Sequence, residues 1–70
     1  MKDFSTQMVE EYTGLYQDLN GNFYELYCYC GYWYLYLYVG ENGHTKTIVD
    51  NSDLGTCLGK VSELGLVKRK

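Results

Sequence analysis

The feature that most constrains this fold is an alternation with a period of two residues in the run YWYLYLYV, residues 32–39. Successive side chains of a β-strand point to opposite faces of a sheet. The run therefore predicts a strand with tyrosines on one face and Trp33, Leu35 and Leu37 on the other. Its eight residues are too few for a membrane-spanning helix.

Three dipeptides that favour tight turns divide the middle of the chain into antiparallel strands. They are Asn20-Gly21, Cys30-Gly31 and Asn42-Gly43. Asn-Gly supplies the positive φ angles of a two-residue hairpin turn. If Cys30-Gly31 is such a turn, Cys28 faces Trp33 and Leu26 faces Leu35 across the hairpin. We therefore expect a series of hairpins.

The other two turns test which face of this hairpin is the core. Placed as two-residue loops, the first brings Leu15 opposite Leu26, and the third brings Ile48 opposite Leu37. Both apolar residues then lie on the Trp33 face. Because a slip of one residue would bury tyrosines and expose leucines, the agreement of the three turns indicates one apolar face.

The C-terminal segment predicts a helix that covers this apolar face. Ser52 can act as its N-cap, Asp53 suits the positive end of the helix dipole, and Gly65 ends it, with Leu66 as the hydrophobic contact after the cap. Residues 68–70 are expected to extend into solvent. Apolar side chains recur at helical spacing between these ends: Leu54, Cys57, Leu58, Val61 and Leu64.

These elements predict one α+β domain over residues 1–70, a four-stranded antiparallel β-meander with one C-terminal helix packed on one face. A chain of 70 residues buries only about 60% of the surface that its unfolded form exposes, so a second domain is excluded. The N-terminal part has two interpretations. One is a strand around Leu15 that follows a helical turn, and the other is a helix from Thr6 to Leu19. Thr13 and Gly14 disfavour the helix, because β-branched residues and glycine have low helix propensity.

The face opposite the helix carries the main indication of function. The predicted registers place eight of the nine tyrosines there, including Tyr12 and Tyr16, and only Tyr24 on the core side. Tyrosine combines a large contact area with few torsions, so a contiguous patch indicates a protein-docking surface. The residues expected to bind the partner are Glu25, Tyr27, Tyr29, Tyr32, Tyr34, Tyr36 and Tyr38.

Three other interpretations of these tyrosines stay open. Tyrosine is a good strand former whose rings stabilise a sheet. Two copies could stack the faces in a homodimer or structural module. An aromatic sheet could also bind RNA, but this requires basic residues around the rings. The charged residues expected nearby are all acidic: Asp18, Glu25 and Glu41. The whole chain has six basic and nine acidic residues and a net charge of -3, which disfavours nucleic-acid binding.

The three cysteines suggest a structural zinc site. Cys28, Cys30 and Cys57 are expected to converge at one end of the sheet, where an oxygen ligand could come from Asp50, Asn51 or Asp53. The single histidine, His44, falls at the far end of the sheet. The alternative is that the thiols are small packing residues.

Catalysis and export find little support in the sequence. A thiol nucleophile would need a nearby base, and no glycine-rich phosphate loop is present. We therefore expect a protein that is not an enzyme. An odd number of cysteines argues against a disulfide framework, and this count and the lack of an apolar leader favour a cytoplasmic location.

The segment EYTGLYQDLNGNFYELYCYCGYWYLYLYVGENG, residues 11–43, resembles in general character the small acidic proteins by which phages block host defences, anti-CRISPR inhibitors among them. The resemblance includes no defined motif, so it assigns no residue a role. It implies inhibition of a bacterial defence nuclease in the host cytoplasm, by occlusion of DNA or guide RNA binding and without chemistry.

Overall fold

The computed structural model describes residues 6–40 and 42–69, which form an α+β fold with an antiparallel sheet of five strands. The predicted fold class is confirmed, including the C-terminal helix. The elements are α1 (Thr6–Tyr12), β1 (Gly14–Gln17), β2 (Phe23–Tyr29), β3 (Tyr32–Val39), β4 (His44–Ser52), α2 (Leu54–Leu64) and β5 (Val67–Lys68). The strands lie in the order β4-β3-β2-β1-β5.

The β2–β3 hairpin has the predicted register. Cys30 and Gly31 form its turn with φ angles of 52° and 84°, the two positive values that a two-residue hairpin loop requires. Leu26, Trp33 and Leu35 are fully buried on the helix-covered side. The observed pairs are Tyr24 with Leu37, Leu26 with Leu35, Cys28 with Trp33, and Tyr29 with Tyr32.

The predicted register of β1 is wrong by one residue. Tyr16 pairs with Tyr24 and is only 4% exposed, so it belongs to the core. Leu15 pairs with Glu25 and lies on the other face. A shift of one residue exchanges the two faces of a strand, which is why the structure buries a tyrosine that the sequence placed outside.

The shift follows from the length of the β1–β2 loop, in which the Asp18 N–H donates to the Asn22 carbonyl at 3.1 Å, and the Asp18 side chain stabilises this loop. One of its carboxylate oxygens accepts hydrogen bonds from the backbone N–H groups of Asn20 and Asn22, both at 2.9 Å. The other accepts from the Tyr24 hydroxyl at 3.1 Å. The loop therefore wraps around a carboxylate instead of closing as a two-residue turn at Asn20-Gly21.

The register of β4 also differs from the prediction, because residues 40–43 separate β3 from β4 where a two-residue turn was expected, so Val39 pairs with His44. Two bulges farther along β4, opposite residues 33–36, add further shifts. Leu37 pairs with Lys46 and not with Ile48, and Leu35 pairs with the buried Val49. Ile48 packs against the core from a partly buried position. Bulges place two residues opposite one, so β4 brings an apolar residue to the helix-covered face at a different position.

Helix α2 begins at a different cap from the one predicted. Asp53 is the N-cap, and its carboxylate accepts a hydrogen bond from the Thr56 N–H at 2.7 Å. Ser52 is the last residue of β4 instead. The predicted C-terminal end is confirmed, since Gly65 adopts φ 68° and Leu66 is buried just beyond it.

The two ends of the described chain complete the sheet and its covered side. Helix α1 ends at Tyr12 and β1 begins at Gly14, so residues 6–19 contain a short helix followed by a strand. Lys68, which was expected in solvent as part of the tail, pairs with Tyr16 in β5. Within residues 6–40 and 42–69, no helix has the length and apolarity needed to cross a membrane.

Candidate functional site

The uncovered side of the sheet carries the residues predicted to bind a partner. Six tyrosines and one glutamate alternate along β2 and β3 with the buried core residues. Tyr12 and Tyr16 do not belong with them, because Tyr12 lies in α1 and Tyr16 in the core. We call this surface the tyrosine face, formed by Glu25, Tyr27, Tyr29, Tyr32, Tyr34, Tyr36 and Tyr38.

Three rings form the centre of the tyrosine face. The centroids of Tyr27 and Tyr34 lie 5.2 Å apart with an interplanar angle of 17°, and those of Tyr27 and Tyr36 lie 5.5 Å apart. The Tyr27 hydroxyl donates a hydrogen bond to the Tyr36 hydroxyl at 3.1 Å. These contacts fix the rings against one another, so they present a preformed aromatic platform.

A carboxylate adjoins this platform on β2. The Tyr38 hydroxyl donates a hydrogen bond to Glu25, and this bond, followed by burial, raises the pKa of Tyr38. The hydrogen bond with Tyr36, followed by burial, raises the pKa of Tyr27 to about 12. Both phenols therefore stay protonated at neutral pH, and the negative charge here belongs to Glu25.

A second carboxylate adjoins the platform from β4. Asp50 is exposed and lies near Tyr34, whose pKa is raised by burial and then by the charge of Asp50. Sequence reasoning placed Asp50 with the thiols as a zinc ligand and missed its place beside the rings. The polar pattern of Thr45 and Thr47, which pair with Tyr38 and Tyr36, could have indicated it, but the bulges interrupt that pattern before Asp50.

The other acidic residues expected near this face have different positions. Asp18 is engaged by the β1–β2 loop and by Tyr24, which points to a structural role. Glu41 lies outside the described residues. The two most exposed tyrosines, Tyr29 at 65% and Tyr32 at 50%, flank the β2–β3 turn. The tyrosine face thus has a packed centre and an accessible end.

The three cysteines have contrasting environments. Cys30 is exposed in the turn, Cys28 is half-buried, and Cys57 is fully buried in α2. Burial raises the pKa of the Cys57 thiol to about 11. In the part of the chain that the structure describes, no three His, Cys, Asp or Glu side chains gather closely enough to hold a metal ion. The zinc site stays a prediction.

His44 lies away from the thiol at the hairpin turn. It pairs with Val39 at one end of β3, whereas Cys30 precedes the other end of that strand. An exposed histidine at the start of β4 matches the sequence-based placement. The structure does not bring His44 together with Cys30.

A cleft that the sequence did not indicate lies where the β2–β3 turn meets the start of α2. Its volume is about 240 Å³. The Trp33 indole Nε1 is buried and has no hydrogen-bond partner among the described residues. The bulged end of β4 contributes to the cleft, so its position could not be inferred from an ideal register. The lining residues are Gly31, Tyr32, Trp33, Asn51, Ser52, Asp53 and Leu54.

The tyrosine face is the most extensive of these features, because it joins ring contacts, hydroxyl hydrogen bonds and two carboxylates on one side of the sheet. We interpret the function of the tyrosine face from this geometry. Comparison of the chain with protein-family models, with curated proteins and with solved structures finds no match.

Proposed function

We propose that this chain is a non-enzymatic inhibitor that binds another protein through the tyrosine face and acts by occlusion. The target class is a nucleic-acid enzyme, with a bacterial CRISPR effector nuclease as the specific candidate, in the cytoplasm of the bacterial host. One observation carries the proposal: the helices cover one side of the sheet, and the opposite side presents a continuous set of aromatic rings.

The central rings have the properties of an interface anchor. Tyrosine is enriched at energetically important positions of protein interfaces, where large side chains are desolvated on binding. Tyr27, Tyr34 and Tyr36 are already held by ring contacts and by a hydroxyl hydrogen bond. Since fewer rotamers need to be ordered on association, less conformational entropy opposes binding.

The chemistry of the face supports binding over catalysis. The pKa of Tyr27 is raised to about 12 and that of Tyr38 is raised above its usual value, so neither phenol is an effective acid or nucleophile at neutral pH. The inhibitor would then act in proportion to its amount, one chain blocking one target molecule.

Assays of DNA cleavage by a panel of bacterial CRISPR effector nucleases test this function. Each nuclease, loaded with guide RNA, is titrated with the chain or with the triple variant Tyr34→Ser, Tyr36→Ser and Tyr38→Ser. We expect inhibition that saturates near one equivalent of chain, and at least about a 100-fold higher requirement for the triple variant. The matched control is Leu19→Ser with Val39→Ser, since these side chains are 94% and 47% exposed outside the tyrosine face.

Two outcomes contradict separate parts of the proposal. Undiminished cleavage across the panel at a large excess of chain would remove the nuclease target. Equal inhibition by the native chain and by the triple variant, with the triple variant shown to be folded, would remove the tyrosine face as the binding surface.

Self-association is the second candidate function, favoured by the exposed apolar area that continues beyond the central rings. Phe23, Tyr29, Tyr32 and Val67 are each between 44% and 65% exposed. A second copy could cover such a surface in a symmetric dimer. Sedimentation velocity distinguishes the candidates, because a dimer at micromolar concentration that the triple variant loses would favour the self-associating module.

A further inference from the structure

We propose that the partner presents arginine side chains to the tyrosine face, with guanidinium groups stacked on Tyr27, Tyr34 and Tyr36 and paired with Glu25 and Asp50. This inference rests on the proposed function and specifies the chemistry of its partner. The occupant is a protein segment in extended conformation, lying along the sheet.

The charge distribution of the described residues supports this choice. Glu25 accepts a hydrogen bond from Tyr38 through one carboxylate oxygen, which leaves its other oxygen available. Asp50 is exposed beside Tyr34. Lys46 opposite Leu37 and Lys68 opposite Tyr16 lie on the helix-covered side, and Lys60 lies in α2. Arg69 continues the β5 register opposite Leu15 on the side of the tyrosine face, at the sheet edge two strands from Glu25 and four strands from Asp50.

The ring geometry favours guanidinium over ammonium. The three central centroids lie 5.2, 5.5 and 6.4 Å apart, so the rings form one packed aromatic cluster. A guanidinium group is planar, stacks on aromatic rings and forms two parallel hydrogen bonds to a carboxylate. Lysine carries a compact and strongly hydrated charge that provides only the electrostatic part of this recognition.

The spacing of the two carboxylates sets the spacing of the arginines. Glu25 on β2 and Asp50 on β4 are separated by two strand spacings across the sheet and by two residues along the strands. These separations correspond to about 12 Å between their backbones. In an extended peptide, residues i and i+4 are separated by about 13 Å. Two arginines with three residues between them therefore match the two carboxylates, with the rings between them.

The same charges disfavour the other occupants. A second copy stacked face to face would bury Glu25 and Asp50 of both chains, and Arg69 is the one cation among the described residues on this side, so each chain would bring two carboxylates and one cation. A nucleic acid would bring phosphates towards the same carboxylates. An arginine-bearing segment is the occupant whose charge is complementary.

Peptide titrations followed by NMR test this inference directly. The probe is the pentapeptide Arg-Gly-Ser-Gly-Arg with blocked termini, and the matched probes replace both arginines by citrulline or by lysine. Citrulline preserves the shape and removes the charge. We expect the arginine peptide to shift the ring signals of Tyr27, Tyr34 and Tyr36, with Kd at least about tenfold lower than for citrulline and about threefold lower than for lysine.

Two charge-matched double variants locate the binding site. Glu25→Gln with Asp50→Asn removes the proposed partners of the arginines and should raise the Kd of the arginine peptide about tenfold. Glu10→Gln with Glu11→Gln changes the net charge equally on the exposed surface of α1, and we expect less than about a twofold effect.

Several results would overturn the inference. They are equal binding of the arginine and citrulline peptides, signal shifts away from the tyrosine face, equal losses in the two double variants, and ring shifts that depend on chain concentration without peptide. If these occur while the Tyr34, Tyr36 and Tyr38 triple variant still loses nuclease inhibition, the docking function stands and only the arginine chemistry fails.

Discussion

The two faces of this sheet use the same alternation for different purposes. On the helix-covered face, Leu26, Trp33 and Leu35 are fully buried. On the tyrosine face, rings such as Tyr27 and Tyr36 stay half-exposed and form hydrogen bonds to one another. One face supplies the apolar burial that stabilises the fold, which leaves the other face free to carry an ordered set of aromatic rings.

The largest expected effect comes from creating a cavity in the covered face. Leu35→Ala should lower the free energy of unfolding by about 3 kcal/mol, because the side chain is fully buried in the core. The comparison on the same strand is Tyr36→Ala, which should cost about 1 kcal/mol through lost ring contacts. Urea unfolding followed by circular dichroism measures both, and equal losses would contradict the distinction between the faces.

A smaller effect tests the corrected register of β1. The Tyr16 hydroxyl donates a hydrogen bond to the Tyr12 carbonyl at 2.6 Å in the core. Tyr16→Phe should therefore lower the free energy of unfolding by about 1 kcal/mol. Tyr32→Phe, on the exposed end of the other face, should have no measurable effect. If Tyr16→Phe were as harmless as Tyr32→Phe, the original register with Tyr16 outside would be favoured.

The pH dependence of stability tests the cap that positions α2 on the covered face. Hydrogen bonds from Thr56 lower the pKa of Asp53, so its contribution is present above the ordinary carboxyl pKa and is lost as pH falls through the lowered value. Asp53→Ala should lower Tm by several degrees at pH 7, and Ser52→Ala by less. Asp53→Asn keeps a neutral cap, so it should weaken the fall in Tm between pH 4 and 2.

A persistent Tm difference between native chain and Asp53→Asn across this acid range would contradict the role of the Asp53 charge. A loss from Ser52→Ala equal to that from Asp53→Ala would restore Ser52 as the capping residue.

The smallest expected effect concerns the thiols. Because Cys30 is exposed in the hairpin turn whereas Cys57 is fully buried in α2, we expect purified protein to contain less than about a tenth of an equivalent of zinc, and chelator to leave Tm unchanged. Elemental analysis measures the metal. One equivalent of zinc that disappears in Cys30→Ser would establish the zinc site predicted from the sequence.

The predictability of the fold differed between neighbouring strands. Alternation and the Cys30-Gly31 turn were sufficient for the β2–β3 hairpin, because every pair there follows from one local turn. The register of β1 depended on hydrogen bonds to Asp18, which a dipeptide signal does not reveal. Strand β5 has two residues, so no periodicity was available to predict it.

The candidate site was predictable to the same extent. Six tyrosines and Glu25 follow from the alternation in β2 and β3. Asp50 did not, because two bulges in β4 change which residues accompany Tyr34. Tyr16 was misplaced because its face depends on the β1 register. Local patterns therefore determine the rings, and side-chain interactions in loops and bulges determine what surrounds them.

The most direct test of the central claim is tyrosine iodination of the chain, alone and in complex with a nuclease that it inhibits, with sites read by mass spectrometry. Tyr29 and Tyr32 are 65% and 50% exposed in the free chain, so both should be modified readily. We expect the complex to protect both of them. Unchanged iodination of Tyr29 and Tyr32 in an inhibited complex would contradict binding through the tyrosine face.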